Sequence, residues 1–136
     1  MQGIDVVNTM MKNDYFSQWL GITVTEVREG YCRLELTIKK DMLNGFGIAH
    51  GGITYSAADS ALAFASNSKG RKSVSIETSI SHITSLKEND QIVAEAQCET
   101  ETEKLGHYRV HVYIKNKPDQ PVALFKGIVY RTSKNW

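Results

Sequence analysis

The chain has 136 residues, of which 41% are apolar and 23% are charged, values typical of one folded domain with a single core. Its 16 basic and 15 acidic side chains leave a net charge of +1, and neither sign forms a block. This pattern argues against nucleic acid as the main partner, because binding to phosphate backbones needs clustered Lys and Arg. No apolar run is long enough to span a bilayer, so a membrane partner is not expected either.

The start of the chain predicts an amphipathic helix over about residues 3–18, because apolar residues recur at helical spacing from Ile4 to Met11. A basic region followed by an apolar one, the pattern of a secretion signal, is missing from this segment. Cys32 and Cys98 lack CxxC spacing and are expected to be reduced and partly buried. These features together predict a cytoplasmic protein.

From Ile22 onwards the apolar pattern changes to a period of two, which predicts β-strands. Residues 31–39 alternate strictly, and Glu29-Gly30 marks a turn to the strand before them, so the pair is interpreted as a hairpin. The period of two returns four times in the second half of the chain, where Gly127 is interpreted as a bulge. About six antiparallel strands and one long helix predict a single α+β domain over residues 1–136.

The long helix is predicted over about residues 51–67, which consist almost entirely of small side chains. Small side chains all round suit a helix that a sheet wraps closely. Asp59 is the exception, because a carboxylate removed from water is costly unless it is paired or lies in a wet cleft. No basic residue lies one helical turn away from it. The residues themselves leave two alternatives, a solvent-facing carboxylate or a functional one.

The helix begins with Gly51 and Gly52, which lower helix stability but leave bare N–H groups at the positive end of the helix dipole. Such a terminus suits an anion or a carbonyl oxygen that gains negative charge, although the glycines could serve only a tight turn into the helix. Gly51 and Asp59 are separated by about 12 Å along the axis, so one substrate atom cannot touch both in one chain. If both serve one reaction, they come from antiparallel helices of a two-fold dimer.

The pattern of Asn44, His50-Gly51-Gly52 and Asp59, followed by ALAFASNSKG, resembles the hotdog-fold acyl-CoA thioesterases, most closely the phenylacetate-degradation (PaaI-like) type. The similarity covers roughly residues 15–132. It implies a hotdog fold, in which an antiparallel sheet of about six strands wraps around one central helix. It also implies an acyl-CoA substrate, no cofactor beyond the coenzyme A of that substrate, and a homodimer or a homotetramer built as a dimer of dimers.

The resemblance further implies a role for each matching residue. The backbone N–H of Gly51 polarises the thioester carbonyl, and Asp59 of the partner subunit acts as general base for water or as nucleophile. Asn44 and His50 hold the thioester and the catalytic geometry. Burial between the subunits is expected to raise the pKa of Asp59 and bring it closer to working pH.

Five further positions are assigned to the site. In the resembling enzymes a Ser or Thr on the strand after the helix assists the water, and Ser75 is the first match and Thr78 the second. Gly52 is assigned to substrate binding beside Gly51. Arg71 and Lys72, in the loop after the helix, are candidates for binding the phosphates of coenzyme A, with surface solvation as the alternative.

A metal site and a dinucleotide site are not expected. His107 and His111 share one face of a strand but lie about 13 Å apart, too far for one ion. The segment GFGIAHGG has His50 where the dinucleotide fingerprint needs its third glycine, and no βαβ pattern follows.

The predicted function is hydrolysis of an acyl-CoA thioester with a small aromatic (phenylacetyl-CoA-like) or medium-length acyl group. A thioester is an activated acyl group, so an oriented water, a base and an oxyanion donor suffice. One alternative is a hotdog enoyl-CoA hydratase or dehydratase, which needs a His with an acidic partner. Here Asp59 lies two turns into the helix from His50, which does not match that arrangement. The other alternative is a non-catalytic acyl-CoA-binding hotdog protein.

Overall fold

The computed structural model describes residues 2–136, which form three α-helices and one six-stranded sheet. The helices are α1 (Gly3–Asn13), α2 (Tyr15–Leu20) and α3 (Gly51–Asn67), and the strands are β1 (Thr23–Arg28), β2 (Tyr31–Thr37), β3 (Arg71–His82), β4 (Gln91–Glu101), β5 (Leu105–Ile114) and β6 (Lys117–Asn135). None of these helices has the length and apolar character needed to cross a membrane.

The sheet wraps around α3. Its strand order is β1-β2-β4-β5-β6-β3, every neighbouring pair is antiparallel, and α3 packs against the five strands from β2 to β3 in that order. Ala57, Ala58, Ala61 and Ala65 of α3 are fully buried, which is possible because their small side chains let the sheet approach the helix closely. The predicted α+β architecture, one sheet around one long helix, is confirmed.

The prediction of one N-terminal helix over about residues 3–18 is wrong, because the segment divides into α1 and α2 at Asp14. Asp14 has non-helical backbone angles (φ −89°, ψ 77°), and its carboxylate accepts hydrogen bonds from the Ser17 N–H at 3.0 Å and the Ser17 hydroxyl at 2.7 Å. A carboxylate in this position satisfies a free N–H of a new helix and so starts α2. The Ser17 hydroxyl also lies 2.8 Å from that of Ser60, which fixes α2 against the middle of α3.

Gly127 is not a bulge, since it pairs in register with Thr78 of β3 and with β5 on its other side. A Cβ atom on Gly127 would lie 2.5 Å from Cδ2 of Leu62, so only glycine allows α3 and β6 to approach this closely. The irregularity lies instead in β3, where the register shifts between Ser75 and Glu77.

Strand β3 forms an edge of the sheet, and its apolar side chains are not covered as the alternation predicted. Val74 and Ile76 are each 58% exposed, because no strand formed by residues 2–136 lies beyond β3 and its register shift interrupts the alternation. An exposed apolar strand edge is a surface that can pair with another strand.

Candidate active site

The loop that leads into α3 is held in shape by Asn44. The Asn44 side-chain oxygen accepts hydrogen bonds from the N–H groups of Phe46 at 2.9 Å and Ile48 at 3.4 Å. The end of the loop is tied back by the N–H of His50, which donates to the carbonyl of Met42 at 2.8 Å. Asn44 therefore shapes the loop before the helix, while its direct contact with a thioester stays a prediction.

The N-terminus of α3 carries a backbone N–H group that no residue from 2 to 136 accepts. His50 is the N-cap, and its Nδ1 atom accepts the N–H of Gly52 at 2.8 Å, while its carbonyl accepts the N–H of Ile53 at 2.9 Å. The group without an acceptor is the N–H of Gly51, which donates no hydrogen bond within residues 2–136. The expectation that Gly52 also offers a bare N–H is wrong, because the His50 side chain occupies it.

The imidazole of His82 lies directly beside Gly51. A Cβ atom on Gly51 would be 3.2 Å from Nε2 of His82, and both residues line a cavity of about 230 Å³ together with Asn44 and Thr54. From the sequence His82 is interpreted only as the end of a strand. Nothing near it in the sequence signals this neighbour, because the contact arises from where β3 ends beside α3.

The carboxylate of Asp59 is half-buried and, within residues 2–136, has no hydrogen bond and no ion pair. Burial raises the pKa of Asp59 above the ordinary value of an aspartate, and the negative charge of Asp14 adds to the effect. This upward shift of the Asp59 pKa has the direction predicted from the sequence, although here the burial that causes it arises within one chain. A carboxylate held in this way binds a proton more readily than an ordinary surface aspartate, as a general base must.

Asp59 opens into a second cavity of about 420 Å³ between α3, β3 and β6, called here the Asp59 cavity. Its lining is Met10, Asp59, Leu62, Ala63, Ser66, Asn67, Lys72, Ser73, Val74, Ser75, Val129 and Trp136. Ser75 therefore shares the cavity with Asp59. Thr78 does not line it, and its hydroxyl is hydrogen-bonded to that of Tyr55. Of the two predicted water-orienting residues, only Ser75 lines the same cavity as Asp59.

Residues 46–119 match the family model described as the thioesterase superfamily. The acyl-coenzyme A thioesterase PaaI of Escherichia coli is 32% identical over 124 residues, which cover 91% of this chain and 87% of that protein. The chain belongs to the thioesterase superfamily. A protein of Archaeoglobus fulgidus is 38% identical over 131 residues, covering 96% of this chain and 84% of that protein.

The solved structures confirm that this thioesterase has the hotdog fold. The PaaI protein from the phenylacetic acid degradation operon of Escherichia coli superimposes with a TM-score of 0.93 at 29% identity, covering 98% of this chain and 95% of that chain. An asparagine-to-aspartate variant of phenylacetic acid degradation protein PaaI from Thermus thermophilus superimposes with a TM-score of 0.82 at 32% identity. The match covers 88% of this chain and all of that chain. The resemblance to PaaI and the enzyme class, a hydrolase of thioester bonds, are thereby confirmed.

Arg71 of this thioesterase is already engaged within the chain. Its guanidinium donates to the backbone carbonyls of Thr132, Glu103 and Arg131 at 2.8–3.0 Å and lies 3.5 Å from the Glu103 carboxylate. These contacts fasten the start of β3 to β6 and to the β4–β5 turn, so they oppose the predicted role in phosphate binding. Lys72 is exposed but packs against the ring of Trp136, and its assignment to coenzyme A phosphates stays a prediction.

Gly51 and Asp59 line different cavities of the same chain, as the helical spacing between them requires. One cavity therefore contains a backbone N–H group and the other a carboxylate, both unpaired among the described residues. No cluster of three or more His, Cys, Asp or Glu side chains within residues 2–136 is placed to bind a metal ion.

Proposed function

We propose that this thioesterase hydrolyses acyl-CoA thioesters whose acyl group is small and aromatic, such as phenylacetyl, or of medium length. The observation that carries the proposal is the pair of unsatisfied groups on α3, the Gly51 N–H at its start and the Asp59 carboxylate in its middle. The relative named acyl-coenzyme A thioesterase PaaI supports coenzyme A as the thiol. The phenylacetic acid degradation operon of the Escherichia coli structure supports an aromatic acyl group.

The proposed active site forms between two copies of the chain, with Gly51 from one and Asp59 from the other. The edge strand β3 supports this assembly, because its exposed Val74 and Ile76 would be covered by pairing with the same strand of a second copy. A two-fold pairing creates two equivalent sites. The proposal thus includes a homodimer, alone or doubled into a homotetramer, in the cytoplasm.

In the first step, Asp59 takes a proton from a water molecule that the Ser75 hydroxyl orients, and the water oxygen attacks the thioester carbonyl carbon. The carbonyl oxygen becomes negatively charged and accepts a hydrogen bond from the Gly51 N–H of the other copy. The carbon–sulfur bond then breaks, and the coenzyme A sulfur receives the proton from Asp59. Alternatively Asp59 attacks the carbonyl carbon itself, and water hydrolyses the resulting mixed anhydride. Both routes need Asp59 ionised.

The test is release of free thiol from phenylacetyl-CoA and from a series of straight-chain acyl-CoAs, by wild type and by the Asp59→Asn variant. We expect turnover to fall at least about 100-fold in the variant, the order of effect for losing a general base. Asp119→Asn, which alters an exposed aspartate at the start of β6, is the matched control and should leave turnover unchanged.

Three other results would contradict the proposal in different ways. Thiol release that is unchanged in Asp59→Asn would show that this carboxylate takes no part in the reaction. Binding of acyl-CoA without any thiol release would favour a non-catalytic acyl-CoA-binding protein. Hydration of an enoyl-CoA, without thiol release, would favour a hydratase.

A further inference from the structure

Trp136 is held rigidly at one wall of the Asp59 cavity. Its backbone N–H donates to the carbonyl of Gly70 at 2.9 Å, and its indole Nε1–H donates to Oδ1 of Asn67 at 2.8 Å. The ammonium of Lys72 lies 4.9 Å from the centre of the ring, within the range of a cation–π contact. A residue held by its backbone and at two points of its indole is a firm boundary of the cavity, unlike a side chain that moves aside when a ligand enters.

Asn67, to which the indole is bonded, is itself firmly placed at the end of α3. It is 2% exposed, its amide nitrogen donates to the carbonyls of Ala63 and Ser73, and its oxygen also accepts the Ser73 N–H at 2.9 Å. Loss of the indole therefore leaves the buried oxygen of Asn67 with a partner. Substitutions of Trp136 can alter the cavity without leaving an unsatisfied polar group behind.

The cavity extends along α3 from Asp59 towards Trp136. Asp59 and Asn67 are separated by about 12 Å along the helix axis, so the indole bonded to Asn67 lies near the opposite end from the carboxylate. Apolar side chains, among them Leu62, Val74 and Val129, line the cavity, and its 420 Å³ is within the usual range for small-molecule sites. An acyl group whose carbonyl carbon lies at Asp59 would extend along this path.

We propose that Trp136 closes the far end of the acyl-binding cavity and thereby limits the length of the acyl chain that the enzyme accepts. The inference rests on the proposed function, since it takes Asp59 as the reacting end of the cavity. Its ligand is an apolar acyl group, aromatic or aliphatic, that fits between Asp59 and the indole.

The first test measures kcat/KM for straight-chain acyl-CoAs of increasing length with wild type, Trp136→Phe and Trp136→Ala. We expect kcat/KM of the wild type to fall sharply beyond a limiting acyl-chain length. For the first acyl chains longer than that limit, Trp136→Ala should raise kcat/KM about tenfold or more, which is the order of effect of one methylene in an apolar pocket. For the same long chains, kcat/KM of Trp136→Phe should lie between the values of the wild type and Trp136→Ala. Trp19→Ala, which removes an exposed ring of α2, is the matched control and should keep the wild-type profile.

The second test reports binding without turnover. Trp19→Phe leaves Trp136 as the one tryptophan of the chain, and its fluorescence is followed during titration with S-octyl-coenzyme A, a thioether that cannot be hydrolysed as a thioester. A saturable change in Trp136 emission is expected. Two results together would overturn the inference and leave the proposed function intact. Trp136→Ala would keep the wild-type chain-length profile, and the Trp136 emission would stay unchanged while calorimetry detects binding of the thioether.

The remaining outcomes separate the two proposals further. If the wild type releases thiol from no acyl-CoA but the Trp136 emission still saturates, the cavity binds acyl groups and the proposed function is wrong. If there is neither thiol release nor a change in emission, both proposals are overturned.

Discussion

A mixture of two inactive variants, Gly51→Pro and Asp59→Asn, should recover activity if each active site is built from two chains. Gly51→Pro removes the unsatisfied N–H and adds a ring whose Cβ lies close to His82. Gly51 is the first residue of α3, a position that tolerates proline, and His50 has the extended backbone (φ −58°, ψ 136°) that a residue before proline prefers. The substitution therefore deletes the proposed oxyanion donor while the helix keeps its start.

The size of the recovery follows from the geometry. Each variant alone should lose about 100-fold or more of kcat, since one lacks the oxyanion donor and the other lacks the carboxylate. In a hybrid dimer one site receives both substitutions and the other receives neither. Random pairing of equal amounts makes half of the dimers hybrids, so the mixture should reach about a quarter of wild-type activity.

The assay refolds the two differently tagged variants together, purifies the hybrids through both tags, and measures thiol release. Gly51→Ala is the control for the added side chain, because alanine keeps the backbone N–H. The alanine Cβ would also lie 3.2 Å from the imidazole of His82, which is exposed and can move slightly. We expect Gly51→Ala to retain most activity. Purified hybrids as inactive as their parents would refute the shared site, and equal losses in both Gly51 variants would refute the role of the N–H.

Two further predictions concern pH dependence and stability. The proposed reaction needs Asp59 ionised, and the negative charge of Asp14 helps to raise the pKa of Asp59. Asp14→Asn should therefore move the acid limb of the pH profile of kcat/KM to lower pH, whereas the control Asp119→Asn should not. An asparagine at position 14 can still cap α2, so the helix is kept. An unmoved limb would exclude this coupling. Gly127→Ala should lower the free energy of unfolding by about 1–3 kcal/mol, because its Cβ would overlap Leu62 in the core. Urea denaturation at fixed protein concentration measures this change, and an unchanged midpoint would contradict the overlap.

Local periodicity was enough to predict most of the architecture. The period of two placed the β1–β2 hairpin, and the run of small residues placed α3 between a turn and an alternating strand. The division of the N-terminal helix also had a local signal, since Asp14 and Ser17 have the spacing of an N-cap and the N–H it binds. Apolar spacing alone missed it, because α1 and α2 each continue the helical period.

By itself the sequence determined the candidate groups of the proposed site, because a lone carboxylate in a small-residue helix and glycines at its start are unusual wherever they fold. The distance along one helix also requires two chains if Gly51 and Asp59 serve one reaction. Only the tertiary structure decided which distant residues join them. Ser75 rather than Thr78 lines the Asp59 cavity, Arg71 is bound to β6, and Trp136 lies against Asn67. These contacts connect residues far apart in sequence, and they depend on strand register and on how closely the sheet approaches α3, which no local pattern encodes.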